Sequence, residues 1–326
     1  MKQEAAWDIA ALGELLVDFT GGEAGPGGNP VFEANPGGAP CNVLAMAARL
    51  GRRAAFLGKV GGDFLGSFLR EALLEAGVDC RGLRADPRTG TTLAFVRTGP
   101  GGEREFSFFR DPGADTLLTP EELERPVLES CRIFHFGSLS LTSQPARGAT
   151  WAAVEAARGV GALVSFDPNY RPLLWADPEE ARRQMLWGAS RCRVMKAAEE
   201  ELSFLTGCGE VSQGARALLG RCPGIRLLLV TRGAGGSAAF LDGMEVSCPA
   251  FPVRAVDTTG AGDSFLGCCL SFLLDHPLEG LGRAELGEML RFASAAAALV
   301  VTRRGALRSM PDRARVEAFL KSGEVF

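Results

Sequence analysis

The sequence predicts an α/β fold: a mostly parallel, doubly wound β-sheet flanked by helices, with a small second sheet attached. Strand-like apolar runs alternate with amphipathic helical segments along most of the 326 residues, the pattern of parallel strands joined by crossover helices. Two Gly-rich segments break this alternation and predict the small sheet. Ligands of doubly wound sheets bind beyond the carboxyl ends of the strands, so we expect the functional residues there.

The elements of the predicted main sheet follow from local patterns. Strands are predicted at 9–19, 53–60, 132–137, 162–166, 193–196 and 225–231. Helices are predicted at 41–50, 64–76, 145–158, 178–190, 199–206 and 211–222, with three more near 262–275, 284–302 and 312–321. Gly77 and Gly159 end two of these helices, as glycines often do. The sequence contains no linker and no repeat, which indicates a single domain over residues 1–326.

Segments near 14–36 and 91–112 make up the predicted small sheet. Residues 91–97 and 104–110 are strand-like and are joined by Thr98-Gly-Pro-Gly-Gly102, which predicts a hairpin. Residues 20–35 are irregular and Gly-rich. The small sheet is either a solvent-exposed decoration or a lid that keeps water from an active site.

Composition excludes several classes of protein. Hydrophobic residues make up 46% and charged residues 23%, as in globular proteins, and the net charge of -4 argues against nucleic-acid binding. No apolar run approaches the ~20 residues that cross a bilayer, and residues 1–8 do not resemble a signal peptide. The nine cysteines lack Cys-x-x-Cys spacing and only two histidines accompany them, so we expect reduced thiols, no zinc site and a cytoplasmic location.

The strongest motif is Asp257-Thr-Thr-Gly-Ala-Gly-Asp263. A predicted strand enters it from Val253, and a helix leaves it. The amides of Gly260, Ala261 and Gly262 at a helix N-terminus can bind a phosphate, because small residues permit close approach. Asp263 is then placed to accept a proton from a hydroxyl that attacks the γ-phosphate. The alternative is that Asp263 only caps the helix.

A second motif is Gly37-Gly38-Ala39-Pro40-Cys41-Asn42. It is typical of a flexible turn with a proline opening a helix. The Asn42 amide can donate and accept hydrogen bonds to a polyol, or can simply cap the helix.

Other motifs are excluded. Residues 233–238 fit the Gly-x-Gly-x-x-Ala dinucleotide fingerprint, but they precede a predicted hairpin where that fingerprint needs a helix. The sequence has neither Gly-x-x-x-x-Gly-Lys-Ser/Thr nor Gly-x-Ser-x-Gly, which excludes a P-loop kinase and a nucleophile-elbow hydrolase.

Together the early and late glycine motifs resemble those of the ribokinase-like sugar kinases of the phosphofructokinase B type, and the resemblance extends from Gly13 to Pro311. Further segments resemble the fructokinases in particular. These segments are Gly13-Glu14-Leu15-Leu16-Val17-Asp18, residues 102–110 with Ala114-Asp115, and Asp167-Pro-Asn-Tyr-Arg171 with Trp175.

The resemblance implies ATP-dependent phosphorylation of a sugar, with fructose as the expected substrate, in an α/β domain with a β-sheet lid. It implies Asp263 as the catalytic base and the amides of Gly260, Ala261 and Gly262 as the anion hole. The implied sugar ligands are Asp18, Gly38 and Asn42. Arg110 and Arg171 are implied to approach the sugar or the transferring phosphate, and Phe108 on the predicted lid is a further candidate for substrate binding. The implied nucleotide-side residues are Thr231, Gly233, Gly236, Lys196 and Glu201, with Mg²⁺ bound to ATP. Asp257, Thr259, Gly305 and Ser309 are implied at a monovalent-cation (K⁺) loop.

One departure concerns the Asn-x-x-Glu that the family often carries near the metal. Here Ala198 replaces the asparagine and Glu201 is kept. We expect this change to affect metal geometry and not to abolish activity. The acidic run 199–201 could alternatively be only a solvated helix start.

Alternative functions stay open at this stage. A 2-keto-3-deoxygluconate kinase would share Arg110 and Arg171, but it usually has tyrosines at the positions of Phe108 and Phe109. A ribokinase or a non-catalytic sugar-binding protein of this fold is a further alternative, although the latter has no need of a base beside an anion hole. Alternation places Phe108 and Phe109 on opposite faces of the predicted lid. One face would cover the sugar and the other would pack on the lid of a second copy, which predicts a homodimer formed through the lid.

Overall fold

A computed structural model describes residues 5–22, 25, 27–98 and 104–322, with side chains for all of these except 97, 98 and 104–106. The strands are β1 Trp7–Leu12, β2 Leu16–Gly21, β3 Phe32–Gly37, β4 Ala54–Gly61, β5 Val78–Asp86, β6 Leu93–Thr98, β7 Arg104–Phe109, β8 Cys131–Gly137, β9 Leu163–Asp167, β10 Val194–Ala198, β11 Leu227–Thr231, β12 Ser237–Leu241 and β13 Met244–Cys248. The helices are α1 Ala39–Arg49, α2 Phe64–Glu75, α3 Arg125–Glu129, α4 Ala146–Gly159, α5 Pro178–Arg191, α6 Glu199–Thr206, α7 Val211–Arg221, α8 Ala261–Asp275, α9 Arg283–Val301 and α10 Arg313–Ser322.

Nine strands form the main sheet, in the order β13-β12-β11-β10-β9-β8-β1-β4-β5. The run from β11 to β5 is parallel, and β12 and β13 add an antiparallel edge. Strands such as β4 and β11 are apolar along almost their whole length because both of their faces are covered.

Two apolar cores cover the main sheet, one on each face. Helices α1, α2, α8, α9 and α10 contribute to the first core. Helices α3, α4, α5, α6 and α7 contribute to the second. The predicted doubly wound α/β architecture is confirmed.

A four-stranded small sheet, in the order β3-β2-β6-β7, stands apart from the main sheet. β6 and β7 form the predicted hairpin, although residues 99–102 of its Gly-rich turn lie outside the described residues. Asp18 pairs with Asn35 and with Ala94 across this sheet.

Two predicted strands are wrong. The predicted strand 9–19 is two strands, because Gly13 turns the chain from the main sheet into the small one, and a side chain on Gly13 would lie 2.6 Å from Pro40 Cγ. The predicted strand from Val253 is irregular chain, and the amides of Val256 and Asp257 instead donate to the carbonyl of Val301.

Three elements lie outside the sequence-based prediction: β3, β5 and α3. All nine cysteines are free thiols. Among the described residues, no helix has the length and apolarity needed to cross a bilayer.

Candidate active site

Two neighbouring parallel strands bring opposite charges together at their carboxyl ends. β9 ends at Asp167 and the adjacent β10 carries Lys196, whose Nζ lies 3.0 Å from Asp167 Oδ2. Asp167 is 1% exposed and Lys196 is 5% exposed. Burial alone would lower the pKa of Lys196, but the carboxylates of Asp167, Glu201 and Asp263 together raise it above its ordinary value. The Lys196 side chain therefore stays positively charged at the carboxyl ends of β9 and β10.

The N-terminus of α8 lies directly against this ammonium group. Gly260 is the N-cap residue with φ 80°, a left-handed conformation that favours glycine. A side chain on Gly262 would lie 2.9 Å from Lys196 Nζ, and one on Gly260 would lie 2.7 Å from Ala306 Cβ. The helix amides and the ammonium group thus form a surface on which an anion such as a phosphate can bind.

Asp263 lies in the first turn of α8 and does not cap it. Its Oδ2 accepts a hydrogen bond of 2.8 Å from Asn42 Nδ2, and it is 9% exposed. Burial raises the pKa of Asp263 to about 6, and Asp167 adds to this, while Lys196, Asn42 and Arg171 act in the opposite direction. A carboxylate with this pKa is ionised at neutral pH and is a better proton acceptor than an ordinary aspartate.

Asn42 is also buried, and its side chain does not cap its own helix. Its Oδ1 makes no hydrogen bond to any described residue. A buried acceptor without a partner is costly, so Asn42 Oδ1 is ready to accept a hydrogen bond from a ligand hydroxyl.

Asp18 on β2 faces the same site. Burial of the carboxylate raises the pKa of Asp18 to about 7, Arg171 lowers it, and Asp257 and Asp263 raise it further. Gly37 leaves room for the Asp18 carboxylate, because a side chain at position 37 would overlap it. At Gly38, where φ is 131°, a side chain would overlap the carbonyl of Glu14.

A cleft of about 120 Å³ separates the small sheet from the loops around α8. Asp18, Thr20 and Asn35 line it from the small sheet, and Asp257 and Gly305 line it from the other side. Phe108 pairs with Ala94 on β6, and Ala94 is opposite Asp18, so alternation places Phe108 on the face that carries Asp18.

The predicted cation loop is built around Asp257. Asp257 Oδ1 accepts from the amide of Thr259 at 2.9 Å and from its hydroxyl at 2.7 Å, and Oδ2 accepts from the amide of Gly305 at 3.2 Å. Ser309 is buried, and its hydroxyl donates to the carbonyl of Ala306 at 2.8 Å. The loop is thus oxygen-rich, the donor type that hard cations prefer.

The predicted nucleotide loop follows β11, the strand next to β10. Thr231 pairs with Ala198 at the end of these strands. Gly233 and Gly236 have φ of 52° and 89°, and a side chain on Gly236 would overlap the carbonyl of Cys248. The antiparallel β12 follows, so the helix required by the dinucleotide fingerprint is not formed here.

Comparison with known proteins decides the family. Residues 7–313 match the description "pfkB family carbohydrate kinase". The chain belongs to this family. A probable fructokinase-4 of Arabidopsis thaliana is 42% identical over 315 residues, which cover 96% of both chains.

Solved structures agree. A fructokinase with bound ATP from Xylella fastidiosa superposes with a TM-score of 0.87 at 33% identity, covering 97% of this chain and 99% of that one. A fructokinase from Vibrio cholerae O395 in its fructose-, ADP- and calcium-bound form superposes with a TM-score of 0.86 at 33% identity, covering 96% and 99%. The predicted carbohydrate kinase family and ribokinase-like fold are confirmed.

In this carbohydrate kinase, Glu201 accepts from the amide of Ala198, the N-cap residue of α6, whose own side chain cannot cap the helix. Its two carboxylate oxygens accept from the amides of Ala198 and Tyr170, each at 2.7 Å. Burial raises the pKa of Glu201, Lys196 lowers it and Asp167 raises it. Glu201 is therefore a buried carboxylate beside the phosphate surface, and not part of a solvated helix start.

Arg110 is held by the protein itself. Its Nη2 lies 2.6 Å from Asp115 Oδ2 and donates to the carbonyl of Leu139 at 2.9 Å, and its Nη1 donates to the hydroxyl of Thr142 at 2.9 Å. The guanidinium group thereby joins the end of β7 to the body of the kinase, in addition to any contact it makes with a sugar.

Sequence reasoning missed the roles of two residues. Asp167 belongs to a fructokinase-like segment, but only the order of the strands reveals its pairing with Lys196. Glu14 is an acid that interrupts the predicted strand 9–19. It is buried, and its Oε1 accepts from the amide of Ala39 at 2.8 Å, which caps α1 from a distance. Its position two residues after an apolar strand and beside a glycine was the available signal.

Among the described residues, no three His, Cys, Asp or Glu side chains are grouped as ligands of a metal ion. The carboxylates near the phosphate surface, Asp167 and Glu201, are engaged by Lys196 and by backbone amides. They suit a metal that arrives with a phosphate ligand and keeps part of its water, as Mg²⁺ does.

Proposed function

We propose that this kinase transfers the γ-phosphoryl group of ATP to fructose, giving fructose 6-phosphate and ADP. The observation that carries the proposal is the buried Asp263 carboxylate, held by Asn42 at the N-terminus of α8. The relatives named above support the choice of sugar, since they are fructokinases and one structure contains fructose and ADP.

The reaction follows from this arrangement. Asn42 and Asp18 hold hydroxyls of the sugar, and Asp263 accepts the proton of the hydroxyl that attacks. A bond forms between that oxygen and the γ-phosphorus, and the bond to the oxygen of ADP breaks. The amides of residues 260–262 and the Lys196 ammonium offset the negative charge on the phosphates, and this charge stabilisation supplies most of the catalysis in phosphoryl transfer.

We assign the nucleotide to the side of Thr231, Gly233 and Gly236. Mg²⁺ bound to ATP would neutralise part of the phosphate charge, with Glu201 and Asp167 as the nearest protein carboxylates. We place Arg171 on the sugar side, because it is close enough to Asp18 and Asp263 for its charge to lower the pKa of both carboxyl groups.

The small sheet acts as a lid in this proposal. It carries Asp18, Phe108 and Arg110, so segments 14–36 and 91–112 complete the site within a single domain of residues 1–326. We place the reaction in the cytoplasm, in keeping with nine free thiols.

The test is ADP release in the presence of ATP and fructose, glucose, ribose, 2-keto-3-deoxygluconate or adenosine. Fructose is expected to give the highest kcat/KM. Phe108, on the face of the small sheet that carries Asp18, provides no hydroxyl for an acid sugar, which favours fructose over ketodeoxygluconate. Preferential phosphorylation of ketodeoxygluconate would overturn the choice of sugar but not the kinase assignment.

The pH profile should report the raised pKa values. The reactive form of Asp263 is the carboxylate, and its pKa of about 6 is that of the ligand-free enzyme, so kcat/KM should fall at least tenfold for each pH unit below about pH 6. The pKa of Asp18 is about 7, so kcat/KM for fructose should already begin to fall below about pH 7. A kcat/KM for fructose that stays constant down to pH 5 would contradict the role of Asp263.

A monovalent cation at the Asp257 loop is the next expectation. At constant ionic strength, replacing K⁺ by tetramethylammonium should lower kcat several-fold, because the loop that presents the α8 amides loses a ligand. The Asp257→Ala variant should have low activity and no response to K⁺. Equal wild-type activity in both salts would count against the site.

We also propose a homodimer formed through the outer face of the small sheet. Phe95 lies at ring-centroid distances of 4.9 Å from Phe19, 5.2 Å from Phe32 and 5.5 Å from Phe109. Phe109 is 62% exposed. Phe32 is also exposed, whereas Phe19 and Phe95 are half-buried beneath them. Exposed aromatic rings of this kind are typical of an interface.

Light scattering tests the dimer. The wild type is expected at twice 34.4 kDa, and Phe109→Ser should shift it toward the monomer. Val160, which is 50% exposed at the end of α4, provides the control variant Val160→Ser. A wild-type protein that is monomeric at micromolar concentration would contradict the proposal.

A further inference from the structure

A cavity of about 460 Å³ lies where the central strands of the main sheet begin, at the end opposite the active site. The amino ends of β8, β9 and β10 form its floor, through residues such as Ile133, Leu163 and Arg193. Val164, in this cavity, is three residues before Asp167 on the same strand, a distance of about 10 Å along the chain. The cavity shares none of its lining with the proposed sugar and nucleotide sites.

Four arginines line the cavity: Arg132, Arg158, Arg191 and Arg193. They come from the start of β8, the last turns of α4 and α5, and the residue before β10. The topology brings these four arginines together, because helices that cross back over a parallel sheet end near the amino ends of its strands. Their side chains are 40–49% exposed, so a ligand can reach them.

The carboxylates around the cavity neutralise this charge only weakly. Glu279 lies 3.4 Å from Arg193 Nη2, and Glu155 lies 3.0 Å from Arg158 Nη1, but these carboxylates are 66% and 56% exposed. Asp8 is 3.8 Å from Arg132 Nη1. The exposed pairs made by Glu279 and Glu155 contribute little in water, and an entering anion can replace them.

Arg191 provides a second observation. Its Nε is buried, lies 3.6 Å from Glu155 Oε1 and makes no hydrogen bond to any described residue. A buried donor that lacks a partner is costly. Arg191 is therefore a lining residue of the cavity whose guanidinium group is only partly satisfied by the described residues.

We propose that this cavity is a second ligand site, which binds a small phosphorylated metabolite. Guanidinium groups match the geometry of phosphate oxygens and bind them through paired hydrogen bonds. The volume is in the range of small-molecule sites, and Leu273 and Leu278 in the lining offer apolar contact to the rest of the ligand. The common chemistry is a phosphate group, carried by either a sugar phosphate or a nucleotide.

Calorimetry on the full chain tests the proposal, with fructose and a non-hydrolysable ATP analogue filling the active site. Inorganic phosphate is the first probe, followed by fructose 6-phosphate and AMP. We expect one further saturable site, with the organic phosphates binding more tightly than inorganic phosphate. Preference for fructose 6-phosphate identifies a sugar-phosphate site, and preference for AMP identifies a nucleotide site. Absence of saturable binding of all three probes at millimolar concentration would overturn the proposal.

Paired variants locate the binding. The Arg191→Gln/Arg193→Gln variant should bind at least about tenfold more weakly, since it loses two charge-assisted partners. Arg183→Gln is the control: Arg183 is on the same helix, α5, and pairs with Glu180 outside the cavity. Equal binding by the double variant and the wild type would overturn the assignment.

A second measurement needs no variant. Hydrogen exchange of the wild type, with phosphate compared with chloride at equal ionic strength, should show slower exchange in residues 158–164 and 190–193. Unchanged exchange in both segments at saturating phosphate would overturn the proposal even if phosphate binds elsewhere.

Discussion

Replacement of Asp263 by asparagine is expected to lower kcat by at least about 10²–10⁴-fold, the usual contribution of a general base. Asparagine keeps the size of the side chain and can still bond to Asn42, but it cannot accept the proton of the attacking hydroxyl. The phosphate surface of residues 260–262 and Lys196 is unchanged, so the affinity for ATP should remain nearly the same. Steady-state kinetics and ATP titration measure the two effects.

The stability of this variant separates catalysis from folding. The pKa of Asp263 is raised from 3.8 to about 6 in the folded protein, so its ionisation opposes folding progressively above pH 3.8 and fully above pH 6. At pH 8 the Asp263→Asn variant should therefore have a Tm equal to or above that of the wild type. Asp275→Asn, at the exposed end of the same helix, is the control and should keep full activity. Near-wild-type turnover of Asp263→Asn would remove Asp263 from its role.

Lys196→Met is expected to have the second large effect, on both stability and activity. Lys196 is buried against the Asp167 carboxylate and close to Glu201 and Asp263. Removing it leaves buried negative charges unpaired, which costs about 3–5 kcal/mol in comparable cases. Turnover should also fall, since the γ-phosphate loses a positive neighbour and the pKa of Asp263 rises further.

A double variant tests the physical reason. Lys196→Met/Asp167→Asn removes both charges of the pair, so denaturant unfolding should recover a large part of the lost stability while activity stays low. If the double variant is no more stable than Lys196→Met, the loss comes from packing and not from an unpaired charge. If Lys196→Met has wild-type kcat, Lys196 has no part in the reaction.

The main sheet was predictable because its strands are apolar on both faces and its helices end at glycines. β5 was not predicted because it is an edge strand without a continuous apolar run. Val78–Asp86 contains two arginines and two aspartates, as an exposed edge allows. The strand predicted from Val253 is wrong because most of its residues are apolar, as in a strand, but do not pair with a sheet. Its apolar residues pack as irregular chain, and its backbone bonds to the end of α9 instead of to a sheet.

The part of the site that one short motif forms was predictable from the sequence. Gly260, Ala261, Gly262 and Asp263 are consecutive, so the helix N-terminus and its carboxylate could be placed without a fold. The ion pair of Lys196 with Asp167 could not, since it depends on β9 and β10 being neighbours in register. The contact between Asn42 and Asp263 likewise joins residues 221 positions apart, and only the packing of α1 against α8 brings them together.

The most direct test of the account is a crystal structure with fructose and a non-hydrolysable ATP analogue bound. We predict a fructose hydroxyl within about 3.2 Å of the Asp263 carboxylate. The terminal phosphate should lie against the amides of residues 260–262, and the small sheet should be closed over the sugar. A terminal phosphate bound away from the α8 N-terminus, or a sugar out of reach of Asp263, would contradict the account.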